Sequence, residues 1–346
     1  MKAALLVGPE TYELKNVPEP DLVDDGLILQ VKACGVCGSD IRRWREGPPA
    51  GVSGIISGHE VAGVVEKIGS KVTRFKVGDH VALAPDVHCG HCYYCERGLF
   101  NLCNDLKLIG ITPGYPGGFV EKMLLTAEIL ENGIVHTYNP SMSFEAAAFA
   151  EPCSSVLMTH DRVGTSIKDT VVVMGGGPIG CLHINVAKSR GASVILSEPS
   201  EPRQAAAKGL NPDLIVNPLK EDLVKLVKEF TGGRGADLAI CANPVAATQT
   251  QAVELVRKRG KVILFGGLPK SNPMTSLDGN LIHYNEIEVI GSFSYHPTAH
   301  AMALEVIERG VINVNKLITH SLRLDEIDKA FRLAVSGDAL KVMVIP

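Results

Sequence analysis

Val171-Val-Val-Met-Gly-Gly-Gly-Pro-Ile-Gly180, followed by the helical run Cys181–Arg190, is the stretch on which the fold turns. A β-branched run that breaks at glycines and resumes as a helix describes a strand, a turn and a helix. In Gly175-x-Gly177-x-x-Gly180 the first glycine permits the tight turn and the second lets backbone approach a pyrophosphate. The third allows close helix–strand packing, and the helix N-terminus adds amides and a positive dipole. Pro178 and Ile179 complete the loop. The chain is uncharged from Thr170 to Ala187, but the central glycines make this strand, turn and helix rather than a membrane span.

Outward from that loop the unit repeats. Apolar runs at Val171–Met174, Val194–Ser197, Leu214–Asn217, Asp237–Ala242, Val262–Gly266 and Ile287–Gly291 alternate with helical patterns such as Lys220–Phe230 and Val245–Lys258. Six buried strands alternating with helices predict an α/β, doubly wound, six-stranded parallel sheet of the Rossmann type. Glu198 follows the second strand, 18 residues beyond Gly180. A carboxylate there accepts from both ribose hydroxyls and repels a 2′-phosphate, which favours NAD over NADP. The plainer reading is a cap on the next helix, and Arg203 nearby flanks the adenosine or tolerates a phosphate.

Upstream the texture differs. Short apolar runs at Ala3–Val7, Leu27–Ala33, Val61–Ile68, His80–Ala84 and Phe119–Leu125 are punctuated by Gly, Pro and Asp, as in an all-β domain. The tail carries helical patterns near 299–309 and 325–335 and a closing strand at Lys341–Ile345.

The 346 residues suggest about two domains. With 45% apolar and 21% charged residues the chain reads as globular, and 34 basic against 38 acidic residues argue against a nucleic-acid or membrane surface carried by bulk charge. No long apolar run with a small-residue cleavage site follows Met1, so a cytoplasmic location is expected. Nine cysteines, an odd number, point to metal ligation or catalysis rather than disulfides.

Cys89, Cys92, Cys95 and Cys103 fall within fifteen residues, and four thiolates so close fit a closed tetrahedral zinc site. An iron–sulfur cluster is the rival, and His88 and His91 are bystanders. A second set is Cys37 in Cys34-Gly-Val-Cys-Gly-Ser-Asp40 and His59 in Gly58-His-Glu60. Singly, each reads equally well as a buried thiol or a core histidine.

Gly58-His59-Glu60-x2-Gly63-x5-Gly69-x2-Val72 matches the signature of zinc-containing alcohol dehydrogenases. With Cys-Gly-Ser-Asp, the cysteine lobe, Gly117-Gly-Phe119, the glycine loop and Gly291-Ser-Phe293, nearly the whole chain resembles the medium-chain, zinc-dependent alcohol dehydrogenase family. It is most similar to the sorbitol (polyol) and threonine dehydrogenase branch. The resemblance implies a GroES-like, β-rich catalytic domain from 1–152 and 292–346, a Rossmann domain from 153–291, and an active site in the cleft between them. It also implies two zinc ions per chain. The structural one takes the four clustered cysteines, and the catalytic one takes Cys37, His59 and Glu151, with Glu60 as an alternate ligand. Cys153 is a lesser ligand candidate or a structural thiol; Cys34, Cys181 and Cys241 read as core. Ser39 fits the relay hydroxyl that accepts the alcohol proton. Phe265, Gly266, Gly267, Ser292, Phe293 and Ser294 occupy positions lining the nicotinamide half. A homodimer or homotetramer is implied, with no nucleic-acid or membrane partner.

The implied reaction is oxidation of a secondary alcohol of a polyol to a ketone, with hydride transfer to NAD. The pattern breaks at Arg42 and Arg43, which replace a relay histidine and an aromatic at the substrate mouth. Guanidiniums bind carboxylate or phosphate bidentately, so an anionic or phosphorylated polyol is one expectation; a cofactor pyrophosphate contact or a solvated pair is the other. Trp44, Ile109, Thr112 and Tyr295 are pocket candidates by family position. The alternatives are a threonine-type amino-alcohol dehydrogenase and, more remotely, a non-catalytic nucleotide-binding relative or a zinc-free quinone-type reductase.

Overall fold

The computed structural model describes all residues, 1–346. They form two compact units, Met1–Ser154 with Tyr295–Pro346, and Ser155–Ser294. The sequence-level boundaries at 152 and 292 fall slightly earlier. The first lies inside one continuous helix, Ala150–Val163, whose period carries no mark of the crossing. No helix is long and apolar enough to cross a membrane.

In the first unit a hairpin of Lys2–Gly8 and Thr11–Asn16 stands apart from a larger mixed sheet. That sheet runs in the order Ile318–Arg323, Lys341–Ile345, Leu27–Gly35, Glu60–Ile68, His80–Val87, Lys107–Leu108. Lys122–Leu125 adds to Leu27–Gly35, and Gly133–Thr137 to His80–Val87. The expected strand at Phe119–Leu125 is continuous only from Lys122, because Val120 instead bridges to Ala3. Register here decides the site. Gly35 pairs with Glu60, and Met343 pairs with Gly35, so the ends of three strands meet at one edge. Cys37 follows the first of these strands, His59 precedes the second, and Lys341 opens the third.

The turn after Leu27–Gly35 becomes a short helix, Gly38–Glu46. Asp40 in its first turn accepts from the Cys37 amide (N···Oδ2 3.0 Å), satisfying a donor that a helix start leaves open. Gly47, at φ 78°, ends it. Its inner face buries Trp44 against Phe331, ring centroids 5.7 Å apart, within the core.

The second unit is a six-stranded parallel sheet of Leu214–Val216, Ser193–Ser197, Thr170–Met174, Ala236–Cys241, Val256–Leu264 and Glu288–Gly291, in that spatial order. This is the 3-2-1-4-5-6 order of doubly wound sheets, whose ligand crevice opens where the strand order reverses. The helix expected over Val245–Lys258 stops at Leu255, and the following strand begins at Val256. Val256 pairs with Ala236, and the register then shifts before Lys261 meets Leu238. The strand thus starts in a basic stretch that hydrophobic patterning reads as helix.

Candidate active site

At the glycine loop, Gly175 adopts φ 113°, a left-handed conformation that favours glycine. A Cβ on Gly180 would collide with the Gly175 carbonyl, while one on Gly177 would meet nothing within 4 Å. The helix Pro178–Ser189 starts at Gly177 with no side-chain cap. Uncapped amides beside open space fit a pyrophosphate. Glu198 is buried, and both its oxygens are engaged. Oε2 accepts from the Gly176 amide at 2.6 Å and Oε1 from the Ser200 amide at 2.8 Å. It therefore ties the glycine loop to Ser200, the residue whose side chain caps the helix Glu201–Lys208. Arg203 is half-buried on that helix.

Gly266 donates to the Cys241 carbonyl and accepts from Gln249, which fixes Phe265–Gly267 at the strand end. Ser292 Oγ lies 2.7 Å from Thr159 Oγ1, and Phe293 is 58% exposed.

In the cysteine lobe the Cys92–Cys95, Cys92–Cys103 and Cys89–Cys95 sulfurs are 3.6, 3.9 and 4.0 Å apart. Zn–S bonds of about 2.3 Å in a tetrahedron give an edge of about 3.8 Å. These edges fit a single metal ion and leave no room for a multi-iron cluster. The amides of Cys89 and Asp105 point at Cys103 Sγ, and amide donation led by Asn104 and Cys95 lowers the Cys92 thiol to about 6. Donors around sulfur are what a thiolate cluster requires.

At the meeting strand ends, ligand atoms of Cys37, His59 and Glu60 all lie within 4.8 Å of one another. Behind them Asp40 is buried, accepts two backbone amides and faces the His59 ring. Its Oδ2 takes the Cys37 amide, and its Oδ1 takes the Gly58 amide at 3.2 Å and faces His59 Nδ1 at 3.3 Å. A carboxylate on Nδ1 fixes the tautomer in which Nε2 is free to ligate. Burial opposes a charge on His59, but Asp40 and then Cys37 raise its pKa well above the usual range. Ser39 Oγ lies 3.3 Å from His59 Nε2 and is partly exposed.

Glu60 is fully buried and forms an ion pair with Lys341, whose Nζ also donates to the Val36 carbonyl at 3.0 Å. A Cβ at Gly35 would strike the Glu60 carboxylate, so glycine is required there. Burial lowers and Glu60, then Cys37, raise the Lys341 pKa, with a net rise. One carboxylate, a thiol and an imidazole beside one lysine form a donor set that fits a divalent cation.

Glu151 stands outside the group of three. Tyr295 donates its hydroxyl to Glu151 Oε1 at 2.7 Å. Burial pushes the Glu151 pKa up to about 7, against His59, which lowers it, and with Glu60, which raises it. Cys153 is fully buried with its thiol pushed up to about 12 by burial, and with Cys34, Cys181 and Cys241 it belongs to the core.

Three pocket expectations meet buried side chains. Trp44 and Ile109 are core residues, 3% and 1% exposed, Trp44 packing on Phe331. Tyr295 is 1% exposed and donates its hydroxyl to Glu151. Thr112 remains accessible. It accepts from the Leu108 amide and, with Val52, Ile55 and Ile111, lines a cavity of about 310 Å³. Arg42 is exposed and Arg43 half-buried on the helix after Cys37. The sequence reading missed Asp40, whose signal was a carboxylate in the helix turn after a ligand cysteine. It also missed Lys341, a lone cation opening an apolar strand.

Residues 23–132 match the alcohol dehydrogenase GroES-like domain, and residues 178–309 match the zinc-binding dehydrogenase family. The chain is 34% identical to a sorbitol dehydrogenase of Bacillus subtilis over 354 aligned positions, covering all of this chain and 97% of that one. It is also 34% identical to a D-arabitol-phosphate dehydrogenase of Enterococcus avium, covering 94% and 91%. A zinc-binding dehydrogenase of Sinorhizobium meliloti, bound to NADP, superposes with a TM-score of 0.91 at 29% identity, over all of this chain and 99% of the other. With relatives this similar over the full length, the chain belongs to the zinc-dependent alcohol dehydrogenase family of oxidoreductases acting on CH–OH donors.

Proposed function

We propose that the protein is a polyol dehydrogenase that oxidises a secondary alcohol to a ketone with NAD, and that its substrate carries a phosphate or carboxylate. The observation that carries the reading is the convergence of Cys37, His59 and Glu60 on one point with Asp40 behind them. When bound, zinc supplies Lewis acidity to the substrate hydroxyl and NAD accepts the hydride.

The chain's own residues do the rest. Asp40 holds the His59 ring in its ligating tautomer and pins the Cys37 and Gly58 backbone. Ser39, next to His59 and partly exposed, receives the hydroxyl proton and passes it to water, since Arg42 offers no base. Glu60 and Glu151 supply carboxylates to the same centre, and Lys341 balances Glu60. The Glu198 carboxylate at the glycine loop disfavours a 2′-phosphate, which supports NAD over NADP. Arg42 and Arg43 rise from the helix that begins at Cys37, where an anionic end of a substrate can meet them. Similarity to an arabitol-phosphate dehydrogenase supports the same class.

A homo-oligomer is part of the proposal. Glu288–Gly291 is an edge strand with an unpaired side, and Met274 and Tyr284, in the segments that precede it in the chain, are 75% and 77% exposed.

The test is zinc content together with initial rates on neutral polyols, their phosphates, hydroxy acids and threonine, with NAD and NADP in parallel. Two zinc ions per chain and a preference for phosphorylated or carboxylated alcohols, reduced by Arg43→Tyr, are expected. Preference for neutral polyols, unchanged by Arg43→Tyr, refutes the anionic-substrate part.

A further inference from the structure

Tyr295 is the first residue of the C-terminal return into the β-rich unit. Its ring is almost completely buried, and its hydroxyl has one assigned partner, Glu151 Oε1. A phenol taken out of water needs such a partner. The acceptor is informative, because the chain two residues before Glu151 lies against the centre: Lys341 Nζ, the ion-pair partner of Glu60, sits 5.2 Å from the centre of the Phe149 ring. A carboxylate has two oxygens and about four acceptor directions. Holding Oε1 leaves Oε2 for the metal or its water, and it fixes a side chain that would otherwise rotate.

We propose that Tyr295 is the positioning residue for Glu151, its O–H holding the carboxylate in the orientation that serves the catalytic metal. This rests on reading the Cys37–His59–Glu60 centre as the catalytic zinc site. Tyr295 touches neither substrate nor cofactor in this scheme. Its effect passes through Glu151 and vanishes when Glu151 does.

Tyr295→Phe removes one oxygen and keeps the packed ring. Glu151→Ala and the double variant complete the cycle. In each, zinc per chain is measured after gel filtration, zinc release to a chelator is followed in time, and kcat and KM are determined with NAD and the best alcohol of the panel. Removing an outer partner of a metal ligand typically weakens metal affinity roughly 10- to 100-fold. The expected result is that Tyr295→Phe keeps both zinc ions, releases one at least tenfold faster while the cysteine-lobe zinc is unchanged, and loses kcat more than KM. The double variant then matches Glu151→Ala. Retention of the cysteine-lobe zinc and an unchanged melting midpoint show that the fold survived. If Tyr295→Phe misfolds, the same release assay on Tyr295→Gln, which restores a donor, must show slower release than Tyr295→Ala. The proposal is overturned by wild-type release from Tyr295→Phe, or by losses that multiply in the double variant. A wild-type chain holding only one zinc overturns the underlying site reading, and this proposal with it.

Discussion

Asp40→Asn tests the organisation of the proposed catalytic centre most directly. The native carboxylate faces three donors: the Cys37 amide at 3.0 Å, the Gly58 amide at 3.2 Å, and His59 Nδ1 at 3.3 Å. Asparagine is nearly the same size but offers one acceptor oxygen and one NH₂. If the oxygen takes the Gly58 and His59 side, the NH₂ confronts the Cys37 N–H and one buried donor is lost. If it takes the Cys37 side, the NH₂ faces Nδ1 and forces the proton onto Nε2, the nitrogen needed for ligation. Either way something fails. A buried unsatisfied donor costs about 1–3 kcal/mol. For a unit of this size that lowers the melting midpoint by about 2–12 °C. Loss of the charged partner of the ligand histidine weakens catalytic-metal affinity roughly 10- to 100-fold, or about 1.4–2.8 kcal/mol. The assay is two-phase zinc release to a chromophoric chelator alongside thermal melting. One zinc is expected to leave much faster than in the native chain, while the other keeps its rate. Native release of both zincs with an unchanged melting midpoint would refute the assignment of Asp40 as the orienting group.

Three further outcomes follow from separate parts of the molecule. Cys92→Ala removes one edge of the sulfur tetrahedron, and the lobe carries only two short 3₁₀ turns, Cys95–Arg97 and Phe100–Leu102; one zinc fewer per chain and rapid proteolytic cleavage within 89–103 are expected, and a full zinc complement counts against the structural site. Gly180→Ala places a methyl against the Gly175 carbonyl, so the helix must shift at a cost of about 1–3 kcal/mol; NAD titration should show at least tenfold weaker binding, and native affinity would remove the glycine loop from the cofactor site. His183 is fully buried, and desolvation lowers its pKa to about 3. Its unfolded value is near 6.5, so the folded state binds fewer protons below that pH. The neutral ring's contribution is therefore complete above about pH 6.5 and is lost as pH falls toward 3. Between pH 6.5 and 4 this amounts to roughly 3 kcal/mol. Urea unfolding of His183→Leu should show a correspondingly flatter acid limb, and an identical limb would exclude His183 as its source.

The second unit was readable because its signals are local. β-branched runs and helical periods alternate at lengths that few folds accept, and the largest slip, at Leu255–Val256, came where a strand starts with basic residues instead of apolar ones. The β-rich unit was readable in outline only. Its strands pair across long sequence gaps, and Val120 bridges to Ala3, a partner that no window of local pattern contains. Trp44 shows the same limit. A tryptophan beside two arginines reads as a loop residue at a pocket mouth until the helix Gly38–Glu46 turns it inward onto Phe331.

The site divides along the same line. The four lobe cysteines announce themselves because metal chemistry restricts residue type and spacing at short range, whereas Cys37, His59 and Glu60 stand out through the resemblance to the alcohol dehydrogenase signature. Asp40, Lys341 and Tyr295 do not, because their roles are relational. An aspartate in a first helical turn is an ordinary cap until His59 is placed beside it. A lysine opening a strand is an ordinary surface residue until the pairing of Met343 with Gly35 and of Gly35 with Glu60 brings it against a buried carboxylate. These supporting residues set the charge balance of the centre. A chain that kept every ligand but lost Lys341 would leave Glu60 buried without its cation. That carboxylate would then have only a metal or a proton to turn to, so ligand choice at this centre is governed as much by the closing strand as by the signature that carries the ligands.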